Sequence, residues 1–408
     1  MPEAVIVSAA RSPIGRANKG SLKGFRPDDL AALIVKAAVE KIPQLDPNTI
    51  DDLLLGCGLP GGESGNNMGR VVSVLNGWDS VPGTTITRYC SSSVQTTRMA
   101  FHAIKAGEGD VFVSAGVETV SRYGKGTSDH LPDTVNPLFD GAQSRTAKTA
   151  EAGSSTTGAW QDPREHGSLP DIYIAMGQTA ENVATSRGLD RKELDEFAAR
   201  SQNLAEKAIA DGFWAREITP VTTPDGTVVS ADDGPRPGVT YGAISQLKPV
   251  FRPDGVVTAG NCCPLNDGAA AVVVMSDTKA AEIGVTPLAR IVSTGVSGLS
   301  PEIMGLGPVE ATRNALKYAG MSIGDIDLVE INEAFAAQVV PSYQDLGIDI
   351  DRLNVNGGAI AVGHPFGMTG ARLQNTMLNS LEWHDKTTGL ITMCVGGGMG
   401  MALILERL

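Results

Sequence analysis

Four short stretches of the 408-residue chain combine residue types that can make or break covalent bonds. Cys90 lies in TITRYCSSSVQTT, between a strand-like segment and a helical one. A thiol at a helix N-terminus feels the positive end of the helix dipole, which lowers its pKa and makes it more nucleophilic. The competing reading is a buried structural cysteine, the commoner fate of a cysteine in isolation. His364 lies in NVNGGAIAVGHPFGMTGAR, with Gly357, Gly358, Gly363, Gly367 and Gly370 around one imidazole. Glycines at that density mean tight turns or close approach to the backbone, neighbours that a core histidine does not need. Cys394 ends an apolar strand in GLITMCVGGGMGMALILERL. The glycine run after it is not a dinucleotide loop, because MALILE reads as a second strand rather than a helix opening on a pyrophosphate. A strand–glycine–strand turn there presents a cysteine and free backbone N–H groups, which can stabilise an oxyanion. Asn332 and Glu333 sit in NEAFAAQ, where the strand LVEI gives way to a helix, so Asn332 is either a helix cap or a functional amide.

Other chemistries are poorly supported. The chain has no HExxH, CxxC, Walker-type loop or paired-cysteine zinc spacing, and the vicinal Cys262 and Cys263 have no nearby histidine, so no metal is expected. His102, His130, His166 and His384 have no comparable setting and read as ordinary polar residues. Five scattered cysteines argue against a disulfide scaffold and for a reducing, cytoplasmic home. The net charge of −13 argues against nucleic acid and against an anionic membrane surface, yet leaves local Arg and Lys free to bind a phosphate. No apolar run approaches the ~20 residues of a membrane span. The N-terminal MPEAVIVSAARSP runs straight into a strand and does not read as a targeting peptide.

The elements that must position these residues read as α/β. Composition is globular, with 42% hydrophobic and 19% charged residues, and 48 glycines suit many tight strand–helix turns. The first third runs strand (5–7), helix (29–41, with Leu30, Leu33, Ile34 and Ala37 on one face), strand (53–55), a helix after Cys90, and strand (111–113). The last third repeats the order: strand (289–294), helix (308–319, with Gly320 as its stop), strand (326–331), a helix after His364, and strand (389–394). TIDDLLLGC falls beside GDIDLVEIN, and the segment after Cys90 falls opposite the one after His364, which suggests duplicated βαβ-type units. The middle, 121–247, differs: a polar stretch, DGAQSRTAKTAEAGSSTTG, precedes a long helical pattern over 176–211. A structureless loop of that length inside a compact protein usually has a job, so the region reads as an inserted lid or binding subdomain rather than a linker. Strands around Val256 and over 269–275 are expected to rejoin the core.

These stretches together resemble the thiolase family, and the likeness runs over essentially the whole chain. VIVSAARSPIG is similar to its N-terminal strand; MGQTAENVA, LKPVFRPDGVVTAGN, LNDGAAAVVVMS and GLGPVEA to its middle segments; NEAFAAQ, NVNGGAIAVGHPFGMTGAR and CVGGGMGMA to its three C-terminal blocks, in order. The resemblance implies a layered α/β thiolase fold of two βαβαβαββ halves, here 1–120 with 248–276 and 277–408, around a loop subdomain over 121–247 that covers coenzyme A. It implies an acyltransferase of lipid metabolism, with acetyl-CoA and coenzyme A as substrates, no tightly bound cofactor, and a homodimer or homotetramer. By position, Cys90 would take the acyl group and His364 would activate it and hydrogen-bond the thioester oxygen of the second substrate. Cys394 would be the general acid/base, Asn332 would hold a water of one oxyanion site, and backbone N–H groups of Cys90 and Gly396 would form the other. Arg236, in DDGPRPG, resembles a CoA-contacting arginine, and Cys263 would neighbour the pantetheine.

Three departures stand out: Thr87 replaces the family's usual Asn, Ser93 its usual Gly, and Cys262-Cys263-Pro264 a stretch commonly small and polar. The first two are expected to crowd the nucleophile turn. The implied reaction is a reversible Claisen condensation or thiolysis through an acyl-cysteine, with acetyl-CoA C-acetyltransferase as the favoured name. A degradative 3-ketoacyl-CoA thiolase with a longer acyl pocket is the alternative. A ketoacyl synthase, which typically uses Cys with two histidines, and a non-catalytic CoA-binding subunit fit less well, because Cys90, Asn332, His364 and Cys394 are all present.

Overall fold

The computed structural model describes residues 2–123 and 135–408, so His130 lies outside the described residues. In chain order, β1 (Ala4–Arg11), α1 (Pro27–Glu40), β2 (Asp52–Cys57), α2 (Met68–Leu75), β3 (Gly83–Ile86), α3 (Ser92–Ala106) and β4 (Val111–Thr119) come first. The middle contributes α4 (Asp140–Ala152), α5 (Met176–Arg187) and α6 (Arg191–Ala210). Then come β5 (Asn266–Ser276), β6 (Ala289–Gly298), α7 (Gly307–Ala319), β7 (Leu328–Ile331), α8 (Ala336–Leu346), α9 (Phe366–Trp383), β8 (Thr388–Val395) and β9 (Met399–Arg407).

The pairing pattern occurs twice. In the first set β2 runs parallel to β3 and β4, β4 pairs antiparallel with β5, and β5 antiparallel with β1. In the second, β7 runs parallel to β8, β8 pairs antiparallel with β9, and β9 antiparallel with β6. A single parallel bridge from Val329 to Leu353 stands where β3 stands in the first set. The sets meet through a short antiparallel contact, Val5 with Arg290 and Ile6 with Ala289. The strands are buried on both faces, so they read as near-continuous apolar runs rather than alternations. Along β1, Val5 and Val7 face the core beneath α1, while Ala4 and Ile6 face a second core. In that second core α3 and α9 pack on each other and on the strands, through Val94, Ile104, Leu373 and Met377.

α9 comes this close only because glycine removes the obstruction. A Cβ on Gly116 of β4 would meet the Gly367 carbonyl and the Ser93 side chain, and one on Gly370 would meet the Val94 backbone. The glycine density around His364 is therefore mostly a packing device.

Three expectations change. The polar stretch at 140–158 is largely helical, as α4. The helical pattern over 176–211 is two helices, because Gly188 takes a left-handed turn (φ 64) and the Asp190 side chain then caps α6 through the Glu193 N–H at 2.8 Å. Around Val256 there is no strand but one bridge, Pro249 to Thr258, since the Glu181 carboxylate takes the N–H groups of Val256 and Val257.

Candidate active site

Cys90 sits in a single 3-10 turn, Tyr89–Ser91, that leads into α3. Tyr89 is held at φ 43, a left-handed conformation that costs a non-glycine residue energy and persists only where surroundings enforce it. The Ser92 hydroxyl enforces it by accepting from the Arg88 N–H at 2.9 Å and donating to the Tyr89 carbonyl at 2.6 Å. Both departures near the nucleophile prove to be anchors. Thr87 donates to the Gly58 carbonyl at 2.9 Å, and Ser93 accepts the Ala371 N–H at 2.8 Å, tying α3 to α9.

The Cys90 sulfur faces the backbone N–H groups of Gly396 and of Cys90 itself. The expected lowering of its pKa does not hold. Burial pushes the thiol up to about 12, with the Glu118 charge adding to the rise, and the two N–H groups only partly oppose it. That direction favours a neutral thiol at Cys90.

His364 is buried, and its ring is fixed at both nitrogens. The Thr369 hydroxyl donates to the Pro365 carbonyl at 2.6 Å, so at 2.7 Å from Nδ1 it can only accept. Nδ1 therefore carries the proton and Nε2 is left as the base. Nε2 takes a hydrogen bond from the Asn332 amide nitrogen at 3.3 Å. Burial pushes the imidazole down to about 3, with Arg372 adding to the fall, which keeps it neutral. Asn332 is not a helix cap: α8 starts at Ala336 after Phe335, which supplies no side-chain cap. Its Oδ1 is buried without a protein partner, an acceptor available to a water or substrate. Glu333 is structural, accepting from Ser201, Asn354 and the Ile360 N–H and so bracing the loop before His364.

Cys394 is fully buried near the end of β8, beside Gly400 of β9, and burial pushes its thiol well above the usual cysteine range, with Cys90 nearby. The Gly396-Gly397-Gly398 turn that follows holds positive φ at Gly397 and Gly398. An apolar cavity of about 350 Å³ opens on Cys90, lined by Leu59, Tyr89, Ile172, Ile174, Met176 and Phe366. Phe366 packs edge-on to His364, with ring centroids 5.3 Å apart, and so joins the imidazole to the cavity wall. A second groove of similar size is lined by Arg16, Arg236, Cys262 and Pro264 among others. Of the vicinal pair it is Cys262 that lines this groove, while Cys263, also half-buried, is the one within electrostatic reach of Cys90 and Cys394.

Family models settle the class. The thiolase N-terminal domain matches residues 4–278 and the thiolase C-terminal domain residues 285–407. The chain belongs to the thiolase family. The 3-ketoacyl-CoA thiolase of Bacillus subtilis (strain 168) is 41% identical, and a beta-ketoadipyl-CoA thiolase of Escherichia coli 42%, each over 100% of both chains. Among solved structures, the acetyl-CoA acetyltransferase of Bacillus anthracis superposes with TM-score 0.85 at 37% identity, over 100% of this chain and 99% of that one. The dimeric peroxisomal thiolase of Saccharomyces cerevisiae gives 0.86 at 34%, over 100% and 98%.

In this thiolase, Cys90, Cys394, Cys263 and Gly396 meet around one sulfur, and His364 meets Asn332. Arg236 stands apart, in the groove. Sequence reasoning missed Thr369, Glu118 and the cavity lining. Thr369 had a signal, a hydroxyl in the first turn of the helix after His364. Glu118 had another, a lone acid in the apolar strand VFVSAGVET. Among the described residues no cluster of three metal-binding side chains occurs, and no helix is long and apolar enough to cross a membrane.

Proposed function

We propose that this thiolase cleaves 3-ketoacyl-CoA thioesters with straight, apolar acyl chains longer than acetoacetyl. The observation that carries this reading is the apolar cavity of about 350 Å³ at Cys90. Measured against the ~30 Å³ that a water occupies in the liquid, it has room for several methylenes. Among the described residues no Arg, Lys or His lines it, so it suits a hydrocarbon tail better than one ending in a carboxylate. The cavity thus supports the longer-chain alternative over the acetyl-specific reading favoured by sequence.

In the reaction, Cys90 Sγ attacks the 3-keto carbon while its proton passes to His364 Nε2. The Cys90 and Gly396 N–H groups face the sulfur and stabilise the oxygen charge that develops beside it. The C2–C3 bond breaks, and its electron pair leaves as the enolate of acetyl-CoA. The imidazolium and a water held by Asn332 Oδ1 stabilise the enolate oxygen, and Cys394, a protonated thiol at rest, protonates C2. The thiol of coenzyme A then takes the acyl group from Cys90, giving up its proton to Cys394, while His364 returns its proton to the Cys90 sulfur. Arg16 and Arg236 are placed to bind the phosphates of coenzyme A, a substrate that comes and goes. Assembly as a homodimer or homotetramer follows the dimeric yeast relative.

The test is CoA-dependent cleavage of acetoacetyl-CoA, 3-ketooctanoyl-CoA and 3-oxoadipyl-CoA, with Cys90→Ala as control. Faster cleavage of 3-ketooctanoyl-CoA, abolished in the variant, is expected. A preference for either of the other two substrates would overturn the chain assignment, and activity surviving in Cys90→Ala would overturn the mechanism.

A further inference from the structure

Glu118 lies at the end of β4, 1% exposed, and has no part in the reaction as written. Its carboxylate is the most heavily engaged in the site. Oε2 accepts the N–H groups of Gly58 and Gly367, both at 2.7 Å; Oε1 accepts the Leu59 N–H at 3.3 Å and the Tyr123 hydroxyl at 2.6 Å, with the Cys57 thiol at 3.7 Å. Burial raises the Glu118 pKa above the usual carboxylate range, and the donors oppose that rise; three of them are backbone N–H groups that cannot accept in return, so the set fits the ionised form.

The segments gathered are the ones the chemistry needs. Gly58 and Leu59 wall the cavity beside Cys90. Gly367 is in the first turn of α9, three residues past His364, and that helix has no local cap because Pro365 precedes it. Glu118 therefore caps α9 from another part of the chain, with an anion at the positive end of the helix dipole. Gly58 also lies between the Glu118 carboxylate and the Tyr89 carbonyl, which puts the charge next to the nucleophile turn.

We propose that Glu118 is a positioning residue: its carboxylate locks the start of the helix that follows His364 against the acyl-cavity wall and sets a fixed negative charge beside Cys90. The inference rests on Cys90 being the nucleophile. The titratable groups that act on that sulfur are Glu118, Tyr123, Cys263 and Cys394, with Cys57 beside Glu118 and His364 reached through Phe366 of the cavity wall. Arg88 of the same turn is engaged with Gln95 and Met399. Among these, only Glu118 has a donor set built for an anion. Its charge opposes an early thiolate and favours the neutral thiol and the neutral acyl-thioester alike.

The experiment measures Cys90 carboxamidomethylation by iodoacetamide against pH, by mass of the Cys90 peptide, alongside steady-state thiolysis. Glu118→Gln removes the charge at constant shape. Its alkylation curve should move down by about one pH unit, with kcat lowered tenfold or more and KM for coenzyme A within twofold. Glu118→Asp keeps the charge but shortens the reach, so kcat should fall while the curve stays in place. A Glu118→Gln curve that overlays the wild type, or a Glu118→Asp curve that moves as far, would overturn the proposal. If Glu118→Gln does not fold, Tyr123→Phe replaces it; loss of that donor leaves the charge less neutralised and should move the curve upward, and no movement overturns the proposal. Alkylation is read without turnover, so a wild type that fails to cleave 3-ketoacyl-CoA counts against the proposed function alone.

Discussion

Titrating the reactivity of Cys90 separates two descriptions of the resting nucleophile, a thiolate–imidazolium pair and a neutral thiol beside a neutral imidazole. Burial pushes Cys90 up to about 12 and His364 down to about 3, a gap of about nine units. At about 1.4 kcal/mol per unit, moving the proton between them costs at most about 12 kcal/mol, less the attraction between the thiolate and imidazolium that form. Turnover at about 10 per second corresponds to a barrier of about 16 kcal/mol. A pre-formed ion pair would use up a large part of that barrier, which favours proton transfer that accompanies carbon–sulfur bond formation. The free enzyme should therefore alkylate at Cys90 in proportion to hydroxide, rising about tenfold per pH unit from 6 to 9 without a plateau. The sign for His364 is set by its lowered pKa: the base form exists throughout the range above about 3, so kcat/KM should show no acidic limb near 6.5. The assay is iodoacetamide inactivation across pH with the Cys90 peptide followed by mass, plus initial rates of thiolysis. A reaction rate flat between pH 5 and 8 would refute the reasoning, because only a stable ion pair gives that plateau.

Three further outcomes follow from particular contacts. Thr369→Val removes the acceptor that fixes the proton on His364 Nδ1, and an unsatisfied buried donor costs about 1–3 kcal/mol, so kcat should fall about 5- to 150-fold; an unchanged kcat would show that the tautomer is set elsewhere. Ile174 lines both the apolar cavity and a neighbouring polar one that holds Arg145, Trp160 and Glu302, so Ile174→Ala should join them and shift relative kcat/KM from 3-ketooctanoyl-CoA toward 3-ketoacyl-CoA chains that end in a carboxylate, and an unaltered ratio would remove Ile174 from the pocket wall. Gly116→Ala drives a methyl against the Gly367 carbonyl, and overpacking of about 3 kcal/mol should lower the urea midpoint; a wild-type midpoint would contradict the close approach of α9 to β4.

Much of the site was legible because covalent chemistry needs rare residue types in set surroundings. Cys90, His364 and Cys394 each stood out against small residues or glycines, and the repeat of strand and helix segments implied a duplicated sheet pattern, which the pairing of β2 with β4 and of β7 with β8 bears out. Gly188 and Asp190 spelled out a helix break in plain stop and cap residues, yet the helical period on either side concealed it.

What the sequence by itself determined was the family, much of the order of the elements and the candidate reactive side chains, because those depend on residue type and local spacing. Only the tertiary structure decided their protonation. A helix N-terminus argued for a lowered Cys90 pKa, and burial together with Glu118, a strand residue brought alongside by folding, reversed it. The proton on His364 Nδ1, the nearness of Cys263 to Cys90 and Cys394 and the cap on α9 were likewise set by partners that meet only in the fold. Desolvation and charge act through space, and a linear pattern records neither the depth of a residue nor the neighbour that reaches it.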